Sequence, residues 1–313
     1  MTVTLAPMEG VVDEYMRDIM TRIGGFDLCV SEFVRVSQQL LPASVYYRYC
    51  PELKNGGTTA SGTPVHVQLM GGDASLLAES AQQLVELGAP GIDLNFGCPA
   101  KTVNKRDAGA TLLQWPTRVH DIVYAVRKAV PVHIPVSAKM RLGYMDKNLY
   151  LDNAHAVEDA GAGKLTVHAR TKLEGYKPPA HWEYLAPIRE NLSIRVIANG
   201  EIWTHEDFQA CKSISGCSEF MIGRGAIARP SLAQEIKKER EDKLSWGEIM
   251  GHLHDYNMLL LKMDSDHRRA GRLKQWIKLL SRTYDPSGAL FANIRRLQEP
   301  DEILGSISGA IAA

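Results

Sequence analysis

VHVQLMGGDASLLAESAQQLVELGAPGIDLNFG, residues 65–97, decides the fold. Two short β-branched and apolar runs, 65–71 and 91–97, enclose a segment in which Leu76, Leu77, Ala81, Leu84 and Val85 recur at helical spacing. A strand, a helix and a second strand in that order make a parallel pair joined by a crossover. Similar runs recur at 3–8, 28–33, 134–143, 164–171, 194–202 and 219–227, and Pro116 to Val130 repeats the helical pattern through Val119, Ile122, Val123 and Val126. Eight strand–helix units in about 225 residues predict an α/β fold, a (β/α)8 TIM barrel. A doubly wound open sheet would show G-x-G-x-x-G after the first strand and an acidic residue beyond it, and neither is present.

The charged run EIKKEREDK, 235–243, reads as a solvated helix end and linker. After it, Ser245 and Glu248 form a capping box, with Leu244 and Ile249 placed as a hydrophobic staple. From residue 246 onward the pattern is helical, with Leu273, Trp276, Ile277 and Leu280 at i, i+3, i+4 and i+7. The expected organisation is a catalytic barrel over 1–243 and a C-terminal helical bundle over 244–313. With 45% hydrophobic and 23% charged residues, the 313-residue chain can bury a full core. No run of eighteen apolar residues and no export signal is found, so a cytoplasmic protein without membrane partners is expected. Five cysteines, odd in number and without C-x-x-C, read as reduced thiols.

Thirty-six basic residues balance thirty-six acidic ones, so polyanion binding can be argued only from where charge sits. Between His267 and Arg296 eight Arg or Lys face one acid, Asp285, with Lys274, Lys278 and Arg282 four apart. Such a stripe suits a phosphate backbone, although most basic stripes are only solvated faces.

In a barrel the chemistry lies at the carboxyl ends of the strands. There stand Gln68, Asn95 and Cys98, Lys139 and Arg141, His168 and Arg170, Asn199 and Glu201, and Arg224. Gly200 and Gly223 follow strands seven and eight, where these barrels often hold a phosphate, or where glycine merely serves a turn. Lys139 and His168 fit an anionic ligand, yet a desolvated Lys139 could equally form a Schiff base, as in an aldolase. Cys98, in a Gly/Pro loop, is expected to be accessible and chemical, against the plain alternative of inert packing. No metal site is read: His252-x-His254 points its rings apart on a helix.

These motifs together resemble the tRNA-dihydrouridine synthases, flavoenzymes that reduce particular uridines of transfer RNA. The resemblance rests on Leu5-Ala6-Pro7-Met8-Glu9-Gly10, Val67-Gln68-Leu69, Asp93-Leu94-Asn95-Phe96-Gly97-Cys98-Pro99, Ala138-Lys139-Met140-Arg141-Leu142-Gly143 and Val167-His168-Ala169-Arg170-Thr171, with Asn199-Gly200-Glu201 and Gly223-Arg224-Gly225 completing it. Ser31 to Arg35 and Arg272 to Trp276 look like the bacterial DusC-type branch, which acts on uridine 16 of the D-loop. Departures are Phe96, Ala100 in place of a common Ser, and Lys105-Arg106-Asp107 in place of a more glycine-rich stretch.

The resemblance implies FMN reduced by NADPH, held by Pro7, Met8, Gln68, Lys139, His168, Asn199, Gly200, Glu201, Gly223 and Arg224. It implies hydride addition at uracil C6 and a proton from Cys98 to C5, with Asn95 and Arg141 on the uracil edge and its phosphate. Contacts to tRNA would come from Arg35, Tyr176, Arg272, Lys274 and Arg295. A monomer with no obligate protein partner is expected. The rivals are an FMN barrel reducing a free pyrimidine or enone, the Schiff-base aldolase, and a non-catalytic RNA-binding protein.

Overall fold

The computed structural model describes residues 1–100, 107–263 and 265–312, with 308–312 by backbone alone. Its strands are β1 (Thr2–Leu5), β2 (Leu28–Val30), β3 (Val34–Arg35), β4 (Val65–Met70), β5 (Ile92–Phe96), β6 (Val136–Gly143), β7 (Lys164–Thr171), β8 (Arg195–Asn199) and β9 (Glu219–Ile222). All pair in parallel, and β1 joins β9 while β2 joins β4, so eight strands close into a barrel. The two-residue β3 pairs only with β4 and stands outside the closed ring. The run expected as one strand over 28–33 therefore ends at Val30, and the run over 219–227 is strand only to Ile222 before turning into the helix Arg224–Ala228. Helices Ala74–Glu86 and Pro116–Ala129 form where apolar spacing placed them, the first capped by the Asp73 carboxylate accepting from Leu76 N.

Alternation within the strands separates two environments. Val65, Val67 and Leu69, Ile92, Leu94 and Phe96, and Val136, Ala138 and Met140 pack outward into the main core beneath the helices. The residues between them, Gln68, Asp93, Asn95, Ser137, Lys139, His168 and Asn199, face inward with little or partial exposure. Among the described residues two small clusters sit apart from that core, Ala6, Val30, Ile197 and Met221 in one and Met70, Cys98 and Ala108 in the other.

The tail consists of helices Trp246–Leu260, Asp266–Leu280, Asp285–Ile294 and Pro300–Ala312 among the described residues. Ser245 accepts from Glu248 N and Glu248 returns to Ser245 N, the full capping box. The division at 243/244 falls between this helix and Leu232–Lys238, yet the apolar core runs unbroken from the barrel into the tail. The charged run before it is exposed from 237 to 243, as its composition suggests, but Glu235 is fully buried and pairs with Arg229 at 2.8 Å. Trp276, fully buried, packs edge-on to Tyr256 and donates its indole N–H to Ile227 O at 3.1 Å. Trp276→Ala is expected to cost about 3–5 kcal/mol, read as a fall in denaturant midpoint with an unchanged slope.

Candidate active site

A cavity of about 440 Å³ opens at the carboxyl ends of the strands, within the range of roughly 300–1,000 Å³ usual for small-molecule sites. It gathers Pro7, Met8, Gln68, Asn95, Cys98, Lys139, Arg141, His168, Tyr176, Asn199, Gly200, Glu201, Gly223 and Arg224 in one wall. Arg35, Arg272, Lys274 and Arg295 lie outside it.

The floor is a directional chain of hydrogen bonds. Asp93, an acceptor when ionised, takes Gln68 Nε2 at 2.7 Å and Ser137 Oγ at 2.6 Å. Gln68 Oε1 must then face Asn95, which donates Nδ2 at 2.7 Å. Asn95 Oδ1 in turn accepts Gly97 N and Cys98 N, both at 2.9 Å, and so shapes the turn that carries the thiol. Burial pushes the Asp93 carboxyl up to about 6, with Gln68, Ser137 and Lys139 pulling it the other way. Asp93 escaped the sequence reading as a site residue, although its D-x-N register with Asn95 places both on one strand face.

Beside this chain, from β6 onward, the lining is cationic. Lys139 donates Nζ to Asn199 Oδ1 at 2.9 Å, and Asn199 donates Nδ2 to Met221 O at 2.8 Å. Burial, then the neighbouring Arg141, brings Lys139 down to about 8, while Asp93 opposes them. Burial and the surrounding Arg141, Lys139, Arg170 and Arg224 hold His168 well below its usual value, so it is neutral. Burial opposes ionisation of Glu201, but Arg170 and the Trp203 indole outweigh it and keep the carboxylate charged. Glu201 takes a left-handed backbone, φ 59°, beside Gly200 at φ 118°. Among the described residues, Nη1 of the fully buried Arg170 has no hydrogen-bond partner.

Some predicted contacts are committed elsewhere. Arg141 spends its donors on Gly97 O at 2.8 Å, Thr171 O at 3.0 Å and Gly175 O at 2.8 Å, so it braces the wall as well as lining it. Cys98 is only 9% exposed, contrary to the accessibility expected of its loop, because Met70 and Ala108 pack with it and Phe33 and Ala100 cover them. It meets solvent through the cavity. Burial raises its thiol above the ordinary value, which keeps it protonated at neutral pH. Lys105 and Arg106 of the altered loop lie outside the described residues.

Trp203 and Arg282 were not singled out as site residues, yet they finish the rim. Arg282, one residue past the helix end at Ser281 rather than on its stripe, stacks 3.6 Å from the Trp203 ring centre. Arg224 lies between Trp203, at 5.0 Å, and Tyr176, at 4.8 Å, and Arg141 is 5.2 Å from Tyr176.

Residues 4–282 match the family described as dihydrouridine synthase (Dus). The chain belongs to the dihydrouridine synthase family. Two relatives of this family member, each called tRNA-dihydrouridine(16) synthase, come from Aquipseudomonas alcaligenes and Shewanella oneidensis. The first is 50% identical over 97% of this chain and 98% of its own, the second 50% identical over 97% and 96%. Among solved structures, a 2-naphthoyl-CoA reductase complex has a TM-score of 0.55 at 15% identity, covering 76% of this chain and 50% of that one. Morphinone reductase has a TM-score of 0.53 at 13% identity, covering 78% and 87%. At such identities these two speak for the barrel alone.

The cationic wall generates a pH test. Lys139 carries its charge below about 8 and loses it above, so the affinity for an anionic ligand is expected to fall as pH rises through that value. The Lys139→Met protein, titrated with FMN across the same range, is expected to bind more weakly and without that fall.

Proposed function

We propose that this dihydrouridine synthase reduces uridine 16 in the D-loop of tRNA to 5,6-dihydrouridine, using bound FMN and NADPH as reductant. The observation that carries the reading is a protonated Cys98 in a cavity that is also lined by Lys139, Arg141 and Arg224. Relatives at about half identity over nearly the whole chain bear the name of that reaction and that position.

The residues fit FMN. A side chain at Gly223 would come within 3.1 Å of Met8 Sδ and 3.3 Å of Ala6 Cβ, so the glycine keeps open a cradle between β1 and β9. The cation of Arg224, on the cavity lining beside the carboxylate of Glu201, suits a phosphate monoester. Pro7 and Met8 would flank the ring, Gln68 its polar edge, and Lys139 with His168 the pyrimidine end. Reduced FMN supplies a hydride when bound.

The protein's own residues do the rest. Asn95, oriented from both sides, holds the Cys98 turn still. Saturation of uracil across C5=C6 develops negative charge toward C5, and Cys98 delivers a proton there; its elevated pKa keeps that proton available. The target base must leave the tRNA fold to enter a cavity this deep. Tyr176, 54% exposed at the rim, offers a stacking face, and Arg35, Arg295 and Lys274, whose Nζ also donates to Leu297 O at 2.8 Å, offer phosphate contacts. We place the protein in the cytoplasm, as a monomer, with the barrel as catalytic unit and the tail as RNA-binding unit.

Mapping dihydrouridine at nucleotide resolution in unmodified tRNA, incubated with protein and NADPH, is expected to show reduction at position 16 alone. Product at another D-loop position would overturn the positional assignment, and turnover of free uridine alone would promote the small-molecule reductase. Cys98→Ala is expected to retain FMN while losing turnover by about 10²-fold or more; near-parental turnover would remove Cys98 from the mechanism.

A further inference from the structure

The loop after β1 forms one side of the cavity through Pro7, Met8, Glu9 and Val11, and Gly10 lies within it. The Gly10 carbonyl is gripped from the tail by two donors, Arg272 Nη1 and Gln275 Nε2, the latter at 2.8 Å. Arg272 also pairs with the buried Asp13 at 2.8 Å, and its side chain is 17% exposed. Asp13 spends its other oxygen on Met16 N, so the pair ties the tail to the start of the first barrel helix. The tail reaches the barrel twice more, through Trp276 to Ile227 O after β9 and through Arg282 over Trp203 after β8, and β9 is hydrogen-bonded to both β1 and β8. The tail therefore touches the barrel after three consecutive strands of the ring, β8, β9 and β1, beside the cavity.

We propose that Arg272 and Gln275 are positioning residues for the cofactor: they hold the β1 loop against the cavity, so that cofactor affinity depends on the tail in the absence of any RNA. The inference rests on the reading of the cavity as an FMN site. Removing these donors frees the Gly10 carbonyl and the loop that carries Pro7 and Met8, and the ligand should then leave faster while its rate of entry changes little. A tail that served RNA alone would leave FMN retention untouched.

The test is FMN binding by the full-length protein, stripped of flavin and titrated without tRNA, in the parent, Gln275→Ala and Arg272→Ala/Gln275→Ala. Loss of the paired donors is expected to weaken FMN by roughly tenfold or more, mostly through faster dissociation. Gln275→Ala removes two hydrogen bonds, to Gly10 O and from Arg272 Nη1, and no ion pair; its flavin-free form is expected to melt near the parent while still releasing FMN several-fold faster. If the double variant does not fold, the single one decides the matter. Unchanged dissociation in the folded variants would overturn the proposal with the FMN site intact. A parent that binds no FMN would overturn the cofactor reading and this proposal with it.

Discussion

A buried carboxylate inside the barrel sets the sense of everything above it. Asp93 accepts from two neighbours and, while ionised, has no proton of its own to give, so Gln68 must present its amide nitrogen downward and Asn95 must follow suit. At the other end of the chain the backbone N–H groups of Gly97 and Cys98 can only donate. Two amides caught between an acceptor and a pair of donors have one arrangement left. Unpaired polar groups in such a place would each cost about 1–3 kcal/mol, which is why the arrangement is rigid enough to present a thiol.

The cationic wall answers to the same logic from the other direction. Lys139 is buried near Asn199, Arg141 and the Asp93 carboxylate, so its charge is sustained by few partners and is sensitive to what enters. Arg170, Arg224 and Arg282 crowd around one carboxylate and two aromatic rings. An unfilled surplus of positive charge of this kind favours an anion, and the rings let the guanidinium groups lie close without full hydration.

The barrel was legible in the chain because its strands alternate against a helical layer whose own periodicity is strong; even the capping box at Ser245 could be read directly. The inward polar residues were also visible, since motif spacing places them at strand ends. What escaped were partners brought from afar. Glu235 sits in a charged run and looks solvated until Arg229 is seen beside it, and Arg272 belongs to a basic stripe until Asp13 and Gly10 are found against it. Cys98 was judged by its loop, but Met70 and Ala108, from other parts of the chain, bury it. Local sequence reports which groups exist and on which face; it does not report which distant group neutralises them. Trp203, with Arg282 nearly eighty residues away, is the same failure at the rim.

The backbone at Glu201 is wound into a region that glycine occupies freely and glutamate does not. Glycine there would relax the turn, but it would leave Arg170 facing only a carbonyl and would release the Trp203 ring from its indole hydrogen bond. The site thus keeps a residue poorly matched to its own main chain because the side chain organises three others. Stability engineering that scores each position by backbone preference would nominate residue 201 early, and would be selecting against the ligand-facing order of the whole rim.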